Sequence, residues 1–261
     1  MMKALFTAAT GMDAQQTRIA VISNNIANMN TTGFKSSRAE FQDLIYETQQ
    51  VPGAEAATGL NAPSGLQIGS GVRVVGTQGQ FTQGTFEQTG NSLDLAIEGK
   101  GFIAVTLPDG STAYTRSGSL SIDATGKLVT QSGFQVSPAI SLNPQGQNRT
   151  VGIDGTISAT LPGQNTPTNE GTLSLTTFPN ESGLESVGRN LYKETAASGP
   201  PTVGKPGQLG VGTIQQGFLE SSNVNIAEEL IRMILAQRAY EMNGKVIQTA
   251  DQMLSTASQM R

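Results

Sequence analysis

The stretch SNNIANMNTTGFK, residues 23–35, decides how the chain is read. Four asparagines, Asn24, Asn25, Asn28 and Asn30, fall within seven positions, and Thr31, Thr32 and Gly33 follow them. Such residues favour turns, because their side chains compete for backbone hydrogen bonds. Here they begin inside an apolar-striped helix. Leu5, Ala8, Met12, Ile19, Ile22, Ile26 and Met29 recur at intervals of three and four, and Gln15 alone breaks the series. That spacing predicts a helix over residues 2–29 with a coiled-coil seam. The Thr31-Thr32 pair and Gly33 stop it. With Leu5 at heptad position a, the outward positions hold Phe6, Thr7, Thr10, Asp13, Ala14, Thr17, Ala20, Val21, Asn24, Ala27 and Asn28. A solvated coil would place Lys, Glu and Arg there, yet residues 2–29 carry only Lys3, Asp13 and Arg18 as charges. A neutral, amide-bearing face suits close packing against further copies, where asparagine exchanges hydrogen bonds without the desolvation cost of a charge.

The far end mirrors the near one. Asn225 is an N-cap candidate, and Glu228 stands where a capping box places its acid. Beyond them Ile226, Leu230, Met233, Tyr240, Ile247 and Leu254 form one seam, and Ile231, Leu235, Met242, Val246 and Met253 form a second. A helix with two apolar seams can touch more than one neighbour; a helix buried inside an ordinary domain would carry the same stripes. Between the helices the period falls to two. Ile103, Val105 and Leu107 alternate before Asp109-Gly110; Leu120 and Ile122 precede DATG, with Leu128 and Thr130 after it; Asp154-Gly155 separates Ile153 from Ile157; and Leu173 with Leu175 marks a further strand. Asp-Gly punctuation between alternating runs predicts antiparallel hairpins.

The expected class is therefore α+β, with the terminal helices paired as a coiled-coil stem and an all-β centre. The expected divisions are a helix over residues 1–30, a connecting segment over 31–75, a β domain with flanking strands over 76–220 and a helix over 221–261. Residues 49–71 are rich in Gly, Ala, Gln and Pro and predict a long, mobile loop. TQGTFEQTGN (82–91) and QQGFLESSNVN (215–225) share a Gln-Gly pattern and are expected to pair as incoming and outgoing strands of the β region. Identical stems that stack through non-self-complementary faces generate an open helical polymer.

Composition narrows the chemistry. The chain has 261 residues, a net charge of −4 and only 14% charged residues, and no basic block suggests nucleic acid. Its 31 glycines mark many turns, and the absence of cysteine excludes disulfides and thiolate metal sites. No apolar run reaches the ~18 residues that span a bilayer, and Gly11 and Asp13 interrupt the start too early for a cleaved signal peptide. With no histidine, cysteine or tryptophan, the usual neutral-pH base, thiol nucleophile and sugar-stacking ring are missing. Asp94 and Glu98 could share a strand face as a glycosidase pair requires, but no second acidic cluster surrounds them. Asp109, Asp123 and Asp154 lack the calcium-loop spacing and read as turn residues. No enzyme, cofactor or metal site is expected. An interaction module with helical oligomerisation ends, such as a secreted adhesin, is the competing class, though only 5% of residues are aromatic.

SNNIANMNTTGFK resembles the N-terminal signature of bacterial flagellar rod and hook proteins. TGNSLDLAIEGKGFIAV (89–105), AYTRSGSLSIDATGKLVT (113–130) and QGFLESSNVNIAEELIRMILAQRAYEMNGKVIQTADQML (216–254) are similar to the family's inner segments and C-terminal signature. Length and the Gly/Ala-rich insertion near residues 46–75 match the distal-rod branch; a proximal rod paralogue is the alternative. The resemblance implies a subunit of a hollow axial shaft that crosses the periplasm and carries torque to the hook. Implied partners are sister copies, proximal rod proteins, hook protein, the surrounding bushing rings and the type III export apparatus, which needs no cleaved signal. No membrane insertion is implied. Implied signature positions are Asn24, Asn25, Asn28, Asn30, Thr31, Gly33 and Phe34, then Asn223, Asn225, Glu228, Gln237, Arg238, Tyr240, Glu241 and Asn243. With Leu5, Met12, Ile19, Ile22, Ile26, Leu230, Met233, Ile247 and Leu254 of the seams, they make the expected assembly surface.

Overall fold

A computed structural model describes residues 2–51, 55–57, 60–61, 64–163, 166–208 and 210–259. The chain forms two compact units, one of Met1–Ile26, Ser37–Gln78 and Ile226–Arg261, the other of Ala27–Ser36 and Gly79–Asn225.

In the first unit, α1 (Met2–Ala27) ends two residues before the expected stop. Its carbonyl ladder gives way to turns in which Thr31 N donates to Asn28 O at 3.1 Å and Phe34 N to Thr31 O at 3.2 Å. The other long element is α2 (Ile226–Gln259), which starts directly after Asn225. Between them in sequence lie β1 (Ser37–Asp43), β2 (Tyr46–Gln50), β3 (Glu55–Ala57), β4 (Leu60–Asn61), β5 (Leu66–Gly69) and β6 (Val72–Gly79). These pair as nested antiparallel partners: β1 with β6, β2 with β5, β3 with β4. Over its described residues, the segment expected to be a loop is therefore a ribbon of paired β-strands. Its ladder supplies the backbone with partners that a loop would seek from water. The ribbon is tied to α1: Lys3 pairs with Glu47, and Val72 N donates to Thr10 Oγ1 at 3.4 Å. Parts of the Gly/Ala-rich insertion, residues 52–54, 58–59 and 62–63, lie outside the described residues.

Helix packing departs from the expected seams. On α1, Ala8 and Ile22 are buried and Leu5, Met12, Ile19 and Ile26 half-buried, as is Met29 just beyond the helix. Ala14, assigned outward by the heptad, is also buried. On α2 the covered stripe runs through Glu229, Met233, Ala236, Asn243, Ile247 and Ala250. Gly11 faces Asn243, so closely that a Cβ on Gly11 would lie 2.8 Å from Asn243 Nδ2. Small residues thus occupy the contact positions and let the backbones approach. Met233 and Ile247 belong to that stripe, but Ile226, Leu230, Tyr240 and Leu254 of the same expected seam are exposed, as is the whole second seam. Large residues mark where a helix is apolar; small ones mark where it can come closest.

Among its described residues, the regular structure of the second unit from Gly79 to Asn225 is strands and one 3₁₀ turn at Glu181–Gly183. Its strands are β7 (Phe86–Gln88), β8 (Leu95–Glu98), β9 (Ile103–Thr106), β10 (Thr112–Thr115), β11 (Leu120–Ile122), β12 (Leu128–Thr130), β13 (Gln135–Ser137), β14 (Gln147–Val151), β15 (Thr156–Thr160), β16 (Thr168–Thr172), β17 (Leu175–Thr177), β18 (Glu185–Gly188), β19 (Leu191–Lys193), β20 (Thr202–Gly204), β21 (Thr213–Gln216) and β22 (Phe218–Glu220). Seven form one antiparallel sheet in the order β11-β12-β13-β9-β10-β19-β18. The two Asp-Gly turns and the DATG turn close hairpins β9–β10, β14–β15 and β11–β12. At the first, Asp109 Oδ1 accepts from Ser111 N at 2.9 Å and Gly110 takes φ +81°, the left-handed geometry that glycine enters at no steric cost. Along β9 the two-residue period divides the core. Ile103 and Val105 join the aliphatic cluster with Leu95, Leu120 and Leu128; Phe102 and Ala104 join Tyr114, Phe178 and Tyr192. Leu173 is fully buried but falls between β16 and β17. The incoming and outgoing segments pair as expected: Phe218 opposite Gln88, Leu219 opposite Glu87, Glu220 opposite Phe86.

Candidate assembly site and its anchor

Charge is scarce in this chain, yet three charged side chains meet in the interior of the second unit. Glu220, on β22, is 1% exposed. Its Oε1 accepts from Lys35 Nζ at 2.6 Å and Gly84 N at 2.9 Å, and its Oε2 from Arg116 Nε at 2.7 Å. Its backbone oxygen accepts from Gly33 N at 2.7 Å. Lys35 also donates to Thr82 O at 2.8 Å. Arg116 spends its remaining donors on the carbonyls of Gly101, Ile97 and Gly99. One carboxylate and two cations thus fasten the end of the asparagine-rich stretch, the incoming strand, the loop after β8 and the outgoing strand at one point. Beside this knot, Asn223 Oδ1 accepts from Ser36 N at 2.8 Å while its Nδ2 donates to Gln80 O at 2.8 Å.

The knot's electrostatics follow from two cations sharing one anion. Burial pushes the Glu220 carboxyl up, but Arg116, and the bonds from Arg116 and Lys35, outweigh it and hold the group below its ordinary range. Burial dominates at Lys35 and draws its pKa down, against the opposing pull of Glu220. Lys35, Arg116 and Glu220 were not among the expected site residues. The signal that could have found them is their rarity: each is a lone charge among apolar and hydroxyl residues within a signature stretch.

Gly33 is required by the same knot. It is buried with φ +70°, and a Cβ there would lie 2.7 Å from Ser117 N and 2.8 Å from the Arg116 carbonyl carbon. Gly33→Ala is expected to destabilise the second unit by more than the ~1–2 kcal/mol of left-handed strain alone, read from chemical denaturation. Gly33→Asn tolerates the dihedral but keeps the clash, so it should recover little; full recovery would show that only the dihedral matters.

The asparagines divide in their roles. Asn25 is buried, and both its amide atoms bracket one residue: Nδ2 donates to Ser37 O at 2.8 Å and Oδ1 accepts from Ser37 N at 2.9 Å. Nδ2 also lies 3.5 Å from Glu229 Oε2. Asn25 therefore joins α1, β1 and α2 within the chain, in place of the subunit-facing role expected of it. A helix that must hand two backbone groups to a neighbouring strand needs a side chain with both donor and acceptor, which no charged residue supplies. Asn24 and Asn30 are exposed, Asn28 and Phe34 half-buried. Ile22 is likewise buried inside the unit. Asn225, directly before α2, is exposed, as are Gln237, Arg238 and Glu241 on it, and Arg238 pairs with Glu241 at 2.9 Å. The large apolar residues Leu230, Ile231, Ile234, Leu235, Met242 and Met253 are also exposed.

Helical ends with an uncovered apolar face, a β centre and an interior locked by signature residues define a structural subunit rather than a catalyst. Among the described residues no cluster of acids could hold a metal ion, and no helix is long and apolar enough to cross a membrane. Three family models match the chain: "Flagella basal body rod protein" over residues 5–35, "Flagellar hook protein FlgE/F/G D1 domain" over 96–159 and "Flagellar basal body rod FlgEFG protein C-terminal" over 215–260. The flagellar basal-body rod protein FlgG of Buchnera aphidicola subsp. Baizongia pistaciae is 51% identical over 258 residues, 99% of each chain. FlgG of Buchnera aphidicola subsp. Schizaphis graminum is 50% identical over 260 residues, all of each chain, and that of Caulobacter vibrioides 48% over 261, again all of each. The chain belongs to the flagellar basal-body rod protein family; it is a non-enzymatic structural protein of the flagellar basal body.

Proposed function

We propose that this chain is the distal rod subunit, whose terminal helices pair as a coiled-coil stem and stack with sister stems into a hollow, rigid shaft. The shaft carries torque from motor to hook, crosses the periplasm and passes export substrates through its lumen. Proximal rod proteins and hook protein lie along its axis and bushing rings around it. The expected surface residues on α2, with Leu5, Met12, Ile19 and Ile26 on α1, take part in stacking or in the stem that supports it. One observation carries this reading. α2 spends its small residues on contacts within the chain and keeps its large apolar ones exposed (Leu235 60%, Met242 67%). Burying each contributes roughly 1.5–3 kcal/mol, which is gained only on association. Full-length relatives that share the name of a rod protein support the same reading. Electron microscopy of the purified chain at high concentration tests it. Straight tubes are expected from the intact chain, and none once residues 1–30 or 225–261 are removed. An intact chain that stays monomeric at every concentration overturns the proposal.

A further inference from the structure

The chain passes between its two units after Ile26, Ser36, Gln78 and Asn225. Within the second unit, the segments that lead to the last three of these crossings, residues 33–36, 79–85 and 220–225, bond to one another. The first meets the second where Gln80 N donates to Ser36 O at 2.8 Å and Lys35 Nζ to Thr82 O at 2.8 Å. The second meets the third where Ser221 N donates to Thr85 O at 2.8 Å. These two run so close that a Cβ on Gly84 would overlap the Ser221 carbonyl oxygen. The first meets the third where Gly33 N donates to Glu220 O at 2.7 Å.

Asn223, on the third segment, joins all three by itself. Its Oδ1 accepts from Ser36 N, the last residue of the first segment, at 2.8 Å. Its Nδ2 donates to Gln80 O and to Thr82 Oγ1 of the second, each at 2.8 Å. An amide offers a donor and an acceptor on one rigid plane, which neither a carboxylate nor an aliphatic side chain does. Asn223, expected on the assembly surface from its place in the signature, therefore spends both ends of its amide inside the chain. It is half-buried and stands outside the aliphatic and aromatic clusters, whereas Glu220 is fully buried. We propose that Asn223 is a positioning residue. It clamps the three segments by which the β unit joins the rest of the chain, and in the polymer it sets how stiffly that unit is carried. Load passed along the chain runs through these segments, and segments tied to one another cannot turn or stretch separately. This rests on the polymer reading above and assigns one source of its stiffness.

The test compares full-length Asn223→Ala, Asn223→Asp and Thr82→Val with wild type, first as free chain and then as polymer. In the free chain, Asn223→Ala should speed hydrogen exchange of the Ser36 amide about tenfold, while Ile103 and Val105 in the core keep their protection. Asn223→Asp keeps the acceptor for Ser36 N but loses the donor, so Ser36 should stay protected. In the polymer, both Asn223 variants should give visibly curved tubes with a shorter bending persistence length in electron micrographs. Thr82→Val, which removes one acceptor only, should fall between them and wild type. The concentration that supports polymer should not move, because the clamp lies within one chain. Unchanged Ser36 exchange in Asn223→Ala overturns the clamp. Faster exchange with tubes as straight as wild type overturns its mechanical role, and a raised concentration would place Asn223 in a stacking contact instead. Wild-type chain that forms no polymer overturns the polymer reading, while Ser36 exchange in the free chain still decides the clamp.

Discussion

Glu220→Leu lowers the stability of the β unit by about 3–5 kcal/mol, the cost of leaving buried cations without their anion. In a unit of this size each kcal/mol moves the midpoint roughly 2–4 °C, so thermal unfolding should fall by roughly 6–20 °C. The loss is large because both cations have nowhere to go: Lys35 and Arg116 side chains are 1% and 5% exposed. Removing all three charges should not restore stability. Arg116 also satisfies three backbone carbonyls and Glu220 a backbone N–H, and apolar replacements would orphan each of them. The pH dependence carries a signature of the same group. The Glu220 pKa is lower in the folded chain than its ordinary 4.5, so the unfolded chain binds the proton first. Its contribution is fully present above about pH 4.5 and is lost as pH falls through the folded value. Glu220→Gln should remove that acid-sensitive component from the stability profile. An unchanged profile would mean that other carboxylates govern acid unfolding.

Parts of this architecture were legible from residues alone, for identifiable reasons. Asp109-Gly110, the DATG turn and Asp154-Gly155 announced their hairpins because the turn chemistry is local and the flanking runs keep a two-residue period. The pairing of β7 with β22 came from a repeated pattern that crosses the whole β unit. The ribbon strands β2 to β5 were not legible. β2 is exposed on both faces and β5 nearly so, so neither shows the alternation by which a half-buried strand betrays itself. Asn25 misled for a different reason: an amide looks the same whether it faces solvent, a sister chain or a strand of its own unit. The knot was missed because ion pairs between residues 35, 116 and 220 leave no periodic trace. Helix contacts leave a faint trace because small residues, Ala8, Gly11, Ala236 and Ala250, supply the close approach while large ones dominate the apolar pattern.

The division between buried and exposed apolar residues decides which substitution separates folding from assembly. Ile22 is 4% exposed, so Ile22→Asp would bury a charge inside the first unit and unfold it before assembly could be judged. Leu235 is the better probe. It is 60% exposed, and Ile231 and Ile234 stand exposed beside it on the same helix. Leu235→Asp changes a largely exposed position, and its effect on the stability of the free chain should stay near ±0.5 kcal/mol. In a polymer it forfeits roughly 1.5–3 kcal/mol of apolar burial and adds the desolvation of a carboxylate. At about 1.4 kcal/mol per tenfold change, the concentration that supports polymer should rise by about 100-fold or more, measured as pelletable protein against total. Leu235→Ala, which loses burial but adds no charge, should fall between wild type and Asp. Equal polymer from all three would place the stacking contacts on some other face of α2, and the exposed apolar stripe would then need a different occupant.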